Sequence, residues 1–333
     1  MNRLMRIALI GAQSCGRTTL LRALAGSDSV DPGKPVTISV PDTRLDFLAD
    51  QWNPEKVIHA SVTFTDTPSP VYSPLHLNSL RSTGAIALVL DNYAMGAPDK
   101  AFLDSESALL LADLEIVENR MARLRKEGAV RSNEYVLLER IADHISDERP
   151  IRCMTLSEGN LSLLSPYGLL SLKPLLVISN RSSRPVSDES GLNGLVRAND
   201  ARFLTVDSLF ELELVDIPEA ERGAFLESMG YDGSVVSRIL RESYSVLDLI
   251  TFFTLGDDEV RAWPVRRGTT ALEAAGIIHS DLARGFIRAQ VIPFECYEKC
   301  PDLTELRSRG ELGIEGKDYV VSDGDIVRIR FSV

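Results

Sequence analysis

Residues Gly11-Ala12-Gln13-Ser14-Cys15-Gly16-Arg17-Thr18-Thr19 follow the apolar run Ile7–Ile10 and lead straight into Leu20-Leu21-Arg22-Ala23-Leu24. A strand that ends in a glycine-bracketed turn and continues as a helix is the frame of a phosphate-binding loop, G-x-x-x-x-G-K-[ST]. Here arginine stands in the lysine position. The two glycines let successive N–H groups converge on an anion, and the start of the helix adds the positive end of its dipole. None of that needs the lysine. Arg17 keeps the charge, but its planar fork cannot set a compact ammonium between β- and γ-phosphates. The frame therefore predicts retained anion binding with impaired catalysis. A strand-to-helix turn that only looks like such a loop is the plainer alternative.

The rest of the first half reads as a doubly wound α/β domain. Val36–Val40, Val62–Thr65, Ala85–Leu90, Leu175–Ile178 and Phe203–Val206 are short apolar runs separated by helical patterns. Ala85–Leu90 and Leu175–Ile178 are apolar without alternation, as strands buried on both faces of a parallel sheet are. Between them, Leu110, Leu114, Val117, Met121 and Leu124 recur at heptad spacing. Leu138, Ile141 and Ile145 mark a second helix after Lys126-Glu127-Gly128. This predicts an antiparallel helical hairpin, either projecting as a coiled coil or packed on a core. From about Leu247 short strands and turns take over, ending in the turn Asp323-Gly324-Asp325 and a final strand Ile326–Phe331.

Three further positions bear on the loop's chemistry. Thr18 offers a hydroxyl suited to Mg²⁺, and Asp66 ends a strand where a second magnesium-holding group is expected. The glycine of a D-x-x-G switch is replaced by Ser69, with Pro68 before it removing an N–H and fixing φ. Asn180 begins an N-x-x-[DE]-like base motif, but Ser183 occupies the acidic position, so strong selectivity for guanine is not expected. Asp66 as a turn or cap residue and Asn180 as a turn residue remain open.

Composition narrows the partners. The 333-residue chain carries a net charge of −12, which argues against broad nucleic-acid binding and leaves DNA out of the expected partners. No apolar stretch approaches the length needed to span a bilayer, so no membrane partner is expected. The start, Met1–Arg6, is charged without an apolar core, and the four cysteines (Cys15, Cys153, Cys296, Cys300) show no zinc spacing. A cytoplasmic protein with reduced thiols is the expectation.

With these residues in view, the chain resembles the YchF-type Obg-like family of P-loop ATPases/GTPases. The resemblance is densest in Thr251–Gly256, Glu259–Trp263, Gly268–Thr270, Ala274–His279, Gly285–Ala289 and Glu315–Val320, which are similar to that family's TGS domain. Val40–Asp46 and Leu111–Glu115 resemble its G domain and the start of its helical insertion.

The resemblance implies a P-loop NTPase-like doubly wound sheet, a helical-hairpin insertion and a C-terminal α+β TGS domain of ubiquitin-like β-grasp type. The expected boundaries are 1–103 with 172–246 for the G-like domain, 104–171 for the insertion and 247–333 for the TGS domain. It implies a purine nucleotide, ATP or GTP with Mg²⁺, held by Gly11, Gln13, Ser14, Cys15, Gly16, Arg17, Thr18, Thr19 and Asn180, with Thr18 and Asp66 serving the metal. Ribosome or RNA association is implied as well. The degenerate GTPase motifs point to slow or lost hydrolysis. The alternative is a nucleotide-free pseudo-GTPase acting as a protein or RNA scaffold through its TGS and helical parts. His279 is read as structural or as part of a recognition surface rather than as catalytic, and Arg261, Arg266, Arg267, Arg284 and Arg288 as solvated charge or a local basic face.

Overall fold

The computed structural model describes residues 5–27, 30–31, 33–66, 72–92, 97–181, 189–229 and 234–332. Its strands, in chain order, are β1 (Arg6–Ile10), β2 (Val36–Ser39), β3 (Lys56–Ile58), β4 (Ser61–Asp66), β5 (Ala85–Asp91) and β6 (Leu175–Asn180), then β7 (Arg202–Val206), β8 (Leu249–Thr254), β9 (Glu259–Arg266), β10 (Phe286–Pro293), β11 (Gly313–Glu315) and β12 (Asp325–Phe331). The fold is mixed α/β and divides into two compact units. The first comprises Met1–Ile38 and Thr63–Val246, the second Ser39–Val62 and Leu247–Val333.

The first unit carries the sheet β2-β4-β1-β5-β6-β7, in which β4, β1, β5, β6 and β7 pair in parallel. Parallel strands need crossovers, which cover both faces with helices. Accordingly all six residues of β6 and the first six of β5 are buried. One face is packed by Ala8, Ile10, Ile86, Leu88, Leu90, Leu175 and Val177, the alternate residues of the three neighbouring strands β1, β5 and β6, against Leu80, Phe102 and Leu109.

Phe102 and Leu109 lie on the helix Pro98–Lys126, which begins inside this unit and runs out to pair with the helix Asn133–Ser146. Along it the expected seam is buried at Leu110, Val117, Met121 and Leu124, with Leu114 partly so. It packs against Leu138, Ile141, Ile145, Ile151, Leu164 and Leu169. Of the two expectations for the hairpin, the packed one holds: residues 151–169 close its open side. Among the described residues no helix is long and apolar enough to cross a membrane.

The second unit is built on the mixed sheet β11-β10-β12-β8-β9-β3. The helix Ala271–Ile278, opened by a reciprocal Thr270–Glu273 capping box, contributes Ala271 and Ala274 to a core with Ile250, Phe252, Val265, Val291, Val321 and Val327. Small residues on that helix let it lie close on the sheet. The segment 39–62 supplies the edge strand β3, parallel to β9, and the helix Thr43–Trp52.

Arg44 ties that segment down. Its Nε and Nη2 donate to the two oxygens of Asp42 at 2.9 and 2.8 Å, and its Nη1 donates to Asp323 at 2.8 Å. The guanidinium also lies 5.2 Å from the centre of the Phe253 ring. Charged hydrogen bonds of this kind contribute about 1–3 kcal/mol, so Arg44→Ala is expected to destabilise this unit by that amount. Both tryptophans of the chain, Trp52 and Trp263, lie in it. Urea unfolding followed by their fluorescence measures the loss, and an unshifted midpoint would contradict it.

Candidate functional site

The loop 11–16 leaves the C-terminal end of β1 and returns as the helix Arg17–Ala25. Its backbone is left-handed at Ser14 (φ 65°) and Gly16 (φ 93°), while Gly11 has φ 148°. A Cβ on Gly11 would stand 2.3 Å from the Val89 carbonyl oxygen, so only glycine lets the loop pass that close to β5. Cys15 turns inward and is 1% exposed, and burial pushes its thiol pKa up. Ala12, Gln13, Ser14 and Thr18 are exposed, so the outer edge of the loop is open. Thr19 is half-buried on the first turn of the helix.

Asn180, at the end of β6, holds the loop from below. Its Nδ2 donates to the Cys15 carbonyl at 2.9 Å, and its Oδ1 accepts from the Ser208 N–H at 3.0 Å. With 4% of its surface exposed, it is a clamp between β6, the loop and the start of the helix Ser208–Glu213. Nothing in the spacing of the sequence marks Ser208 for this part, because its contribution is a backbone N–H.

The same holds for Glu189. It accepts from Asn92 Nδ2 (2.7 Å), Ser179 Oγ (2.6 Å) and Thr205 Oγ1 (2.6 Å), joining the ends of β5, β6 and β7. His76 is fully buried, and its Nδ1 accepts the Tyr72 N–H at 3.1 Å. Burial, then the Arg17 charge, lowers its pKa.

Arg17 and Asp66 meet beside the loop. The β4–β1 register sets Asp66 next to Leu9, so the carboxylate reaches the loop from the neighbouring strand. Arg17 Nη1 lies 3.1 Å from Asp66 Oδ1, with the two side chains 15% and 13% exposed. Thr18 Oγ1 donates to Asp66 Oδ2 at 3.4 Å. Ser69, Pro68 and Ser183 lie outside the described residues. His279, far along the chain, caps the helix Ser280–Arg284 by accepting the Asp281 N–H.

A separate cavity of about 790 Å³ opens at the starts of β6 and β7, lined by Arg152, Met154, Leu172, Leu175, Arg202 and Phe203. Two of its arginines already have acidic partners: Arg152 meets Glu106 at 2.6 Å and Arg202 meets Glu242 at 3.7 Å. The glycine loop, where a strained backbone, an open edge and a charge pair converge, is the better candidate site.

Comparison with known proteins agrees with this frame. The family model YchF-GTPase_C, described as "Protein of unknown function (DUF933)", matches residues 249–332. The protein named Ribosome-binding ATPase YchF in Bacillus subtilis (strain 168) is 32% identical over 362 aligned residues, covering 98% of this chain and 98% of that protein. The chain belongs to the YchF family. A second YchF, from Haemophilus ducreyi, is 31% identical with 98% and 99% covered. In structure, the Schizosaccharomyces pombe YchF GTPase superposes with a TM-score of 0.88 at 23% identity, covering 99% of this chain and 98% of that one. That likeness shows the fold: a P-loop sheet with its helical insertion, and a C-terminal unit of TGS type. A GTP binding protein from Pyrococcus horikoshii OT3 is more distant, with a TM-score of 0.65 and 18% identity.

A P-loop of the YchF fold implies Mg²⁺, and Thr18 and Asp66 are the side chains the sequence offers for it. As placed they do not fit a resident dication. The carboxylate has its charge matched by the Arg17 guanidinium at 3.1 Å, and the Thr18 hydroxyl is turned towards the same carboxylate. A second cation there would meet the first at close range.

Proposed function

We propose that residues 11–19 cradle the phosphates of a purine nucleotide, ATP or GTP, in a cytoplasmic protein that hydrolyses it slowly or not at all and associates with ribosomes. The backbone of the loop carries this reading. Positive φ at Gly11, Ser14 and Gly16, with an exposed edge at Gln13, Ser14 and Thr18, is the shape that aims main-chain N–H groups at an anion. Arg17 contributes the charge, Thr18 and Thr19 the first turn of the helix, Cys15 the buried anchor and Asn180 the clamp beneath. The relatives named ribosome-binding ATPases support the nucleotide and the ribosome together.

Calorimetric titration with ATP, GTP, ADP and GDP is the test. Saturable heat with at least one is expected, and silence with all four at about millimolar concentration, a binding free energy weaker than about −4 kcal/mol, would end the reading. Cosedimentation with purified ribosomes tests the association separately.

The Arg17–Asp66 contact favours a second reading, in which the pocket is closed on itself and the protein serves as a nucleotide-free scaffold for protein or RNA. A chain that pellets with ribosomes yet stays silent with every nucleotide would fit it.

A further inference from the structure

We infer that Arg17 is the resident cation of this site, so that nucleotide binds without a divalent metal ion. This rests on the nucleotide reading above and concerns what neutralises the phosphates. Arg17 is the first residue of the helix, and Asp66 holds its guanidinium through an Nη1–Oδ1 contact of 3.1 Å. The contact is an ion pair without hydrogen-bond alignment. Nη1 is buried and, among the described residues, makes no aligned hydrogen bond, and the same is true of Asp66 Oδ1. Asp66 thus positions the guanidinium by charge, with no aligned hydrogen bond fixing Nη1 to Oδ1.

The chemistry of arginine completes the argument. A guanidinium stays protonated at any working pH, and its flat fork can bridge two phosphate oxygens at once. In an ordinary loop, charge on the phosphates is shared between a lysine and a metal. Here the carboxylate expected to serve the metal, on Asp66, already has a cation 3.1 Å away. A nucleotide carrying Mg²⁺ brings less negative charge to Arg17 than the free nucleotide does. Chelating the metal should therefore leave affinity unchanged or strengthen it.

The experiment is titration of the full chain with ATP, ADP, GTP and GDP in two buffers, one containing Mg²⁺ and one containing EDTA. Dissociation constants equal within about threefold, or tighter in EDTA, are expected. Arg17→Lys restores a compact ammonium that leaves room beside Asp66. It should bind more tightly in Mg²⁺ than in EDTA by about tenfold or more. Wild-type binding that appears only with Mg²⁺ overturns the inference and leaves the nucleotide reading standing. Silence in both buffers removes the nucleotide reading and this inference with it. A lysine variant as indifferent to the metal as the wild type would show that Arg17 is not what replaces the ion.

Discussion

Gly16→Ala is expected to abolish nucleotide binding and to destabilise the first unit by about 3–5 kcal/mol, the sum of backbone strain and lost hydrogen bonds. Two independent obstacles add. Gly16 has φ 93°, a region that residues with a Cβ rarely adopt. The added Cβ would also stand 2.0 Å from Asn180 Nδ2. That amide cannot step aside freely, since it donates to Cys15 at 2.9 Å and its oxygen accepts from Ser208 at 3.0 Å. Relief therefore means unclamping the loop from β6 and from the helix Ser208–Glu213, which dissolves the cradle. Titration of the variant checks binding, and urea unfolding followed by circular dichroism checks stability. Combining Gly16→Ala with Asn180→Ala separates the two causes: the clash is gone in the double variant, so it should lose less than the sum of the singles. Additive losses would mean that the two side chains do not meet.

The strand pattern was legible because the central strands are buried on both faces. Uninterrupted apolar runs such as Ala85–Leu90 and Leu175–Ile178 have few other uses in a chain that alternates with helices. Edge strand β3, three residues with two exposed, left no such mark. Nor could periodicity show that residues 39–62 group with residues 247–333. That association depends on β3 pairing with β9 some two hundred positions away and on Arg44 reaching Asp323. The family-like string Val40–Asp46 contains the reason, since it holds Asp42 and Arg44, yet a string does not say what its charges touch.

The site divides in the same way. The glycine frame was readable because a local backbone path needs those residues at that spacing. Arg17 could be recognised as a departure, but its pairing with Asp66 is set by strand register, which brings Leu9 beside Asp66. The sequence offers Asn180 as a side chain to face a base. The structure gives it two bonds to the protein, and one of them is to a backbone N–H with no signature in sequence. Glu189 has no signature in sequence for a related reason: its three donors come from three different strand ends.

Asp113→Ala should be the most damaging single change outside the loop, by about 3–5 kcal/mol, because it strands a charge and several donors in the interior. Asp113 lies within Leu111–Glu115, the string that resembles the start of the family's helical insertion, and it is fully buried. One oxygen accepts from the Leu170 N–H at 2.8 Å and from Arg81 Nη1 at 3.1 Å. The other accepts from the Ser171 N–H at 2.7 Å and its hydroxyl at 2.9 Å. A single carboxylate thus fastens the chain's return from the helical hairpin, residues 170–171, to the long helix that set out on it. Alanine would leave two backbone N–H groups without acceptors and remove the countercharge of Arg81, which among the described residues keeps the Gly168 and Ala112 carbonyls. Asparagine retains one acceptor oxygen and should cost less, about 1–3 kcal/mol. Urea midpoints by circular dichroism for wild type, Asp113→Asn and Asp113→Ala should fall in that order. Hydrogen exchange should place the new opening at residues 168–173. An alanine variant as stable as the asparagine one would mean that the hairpin is held by its apolar seam alone.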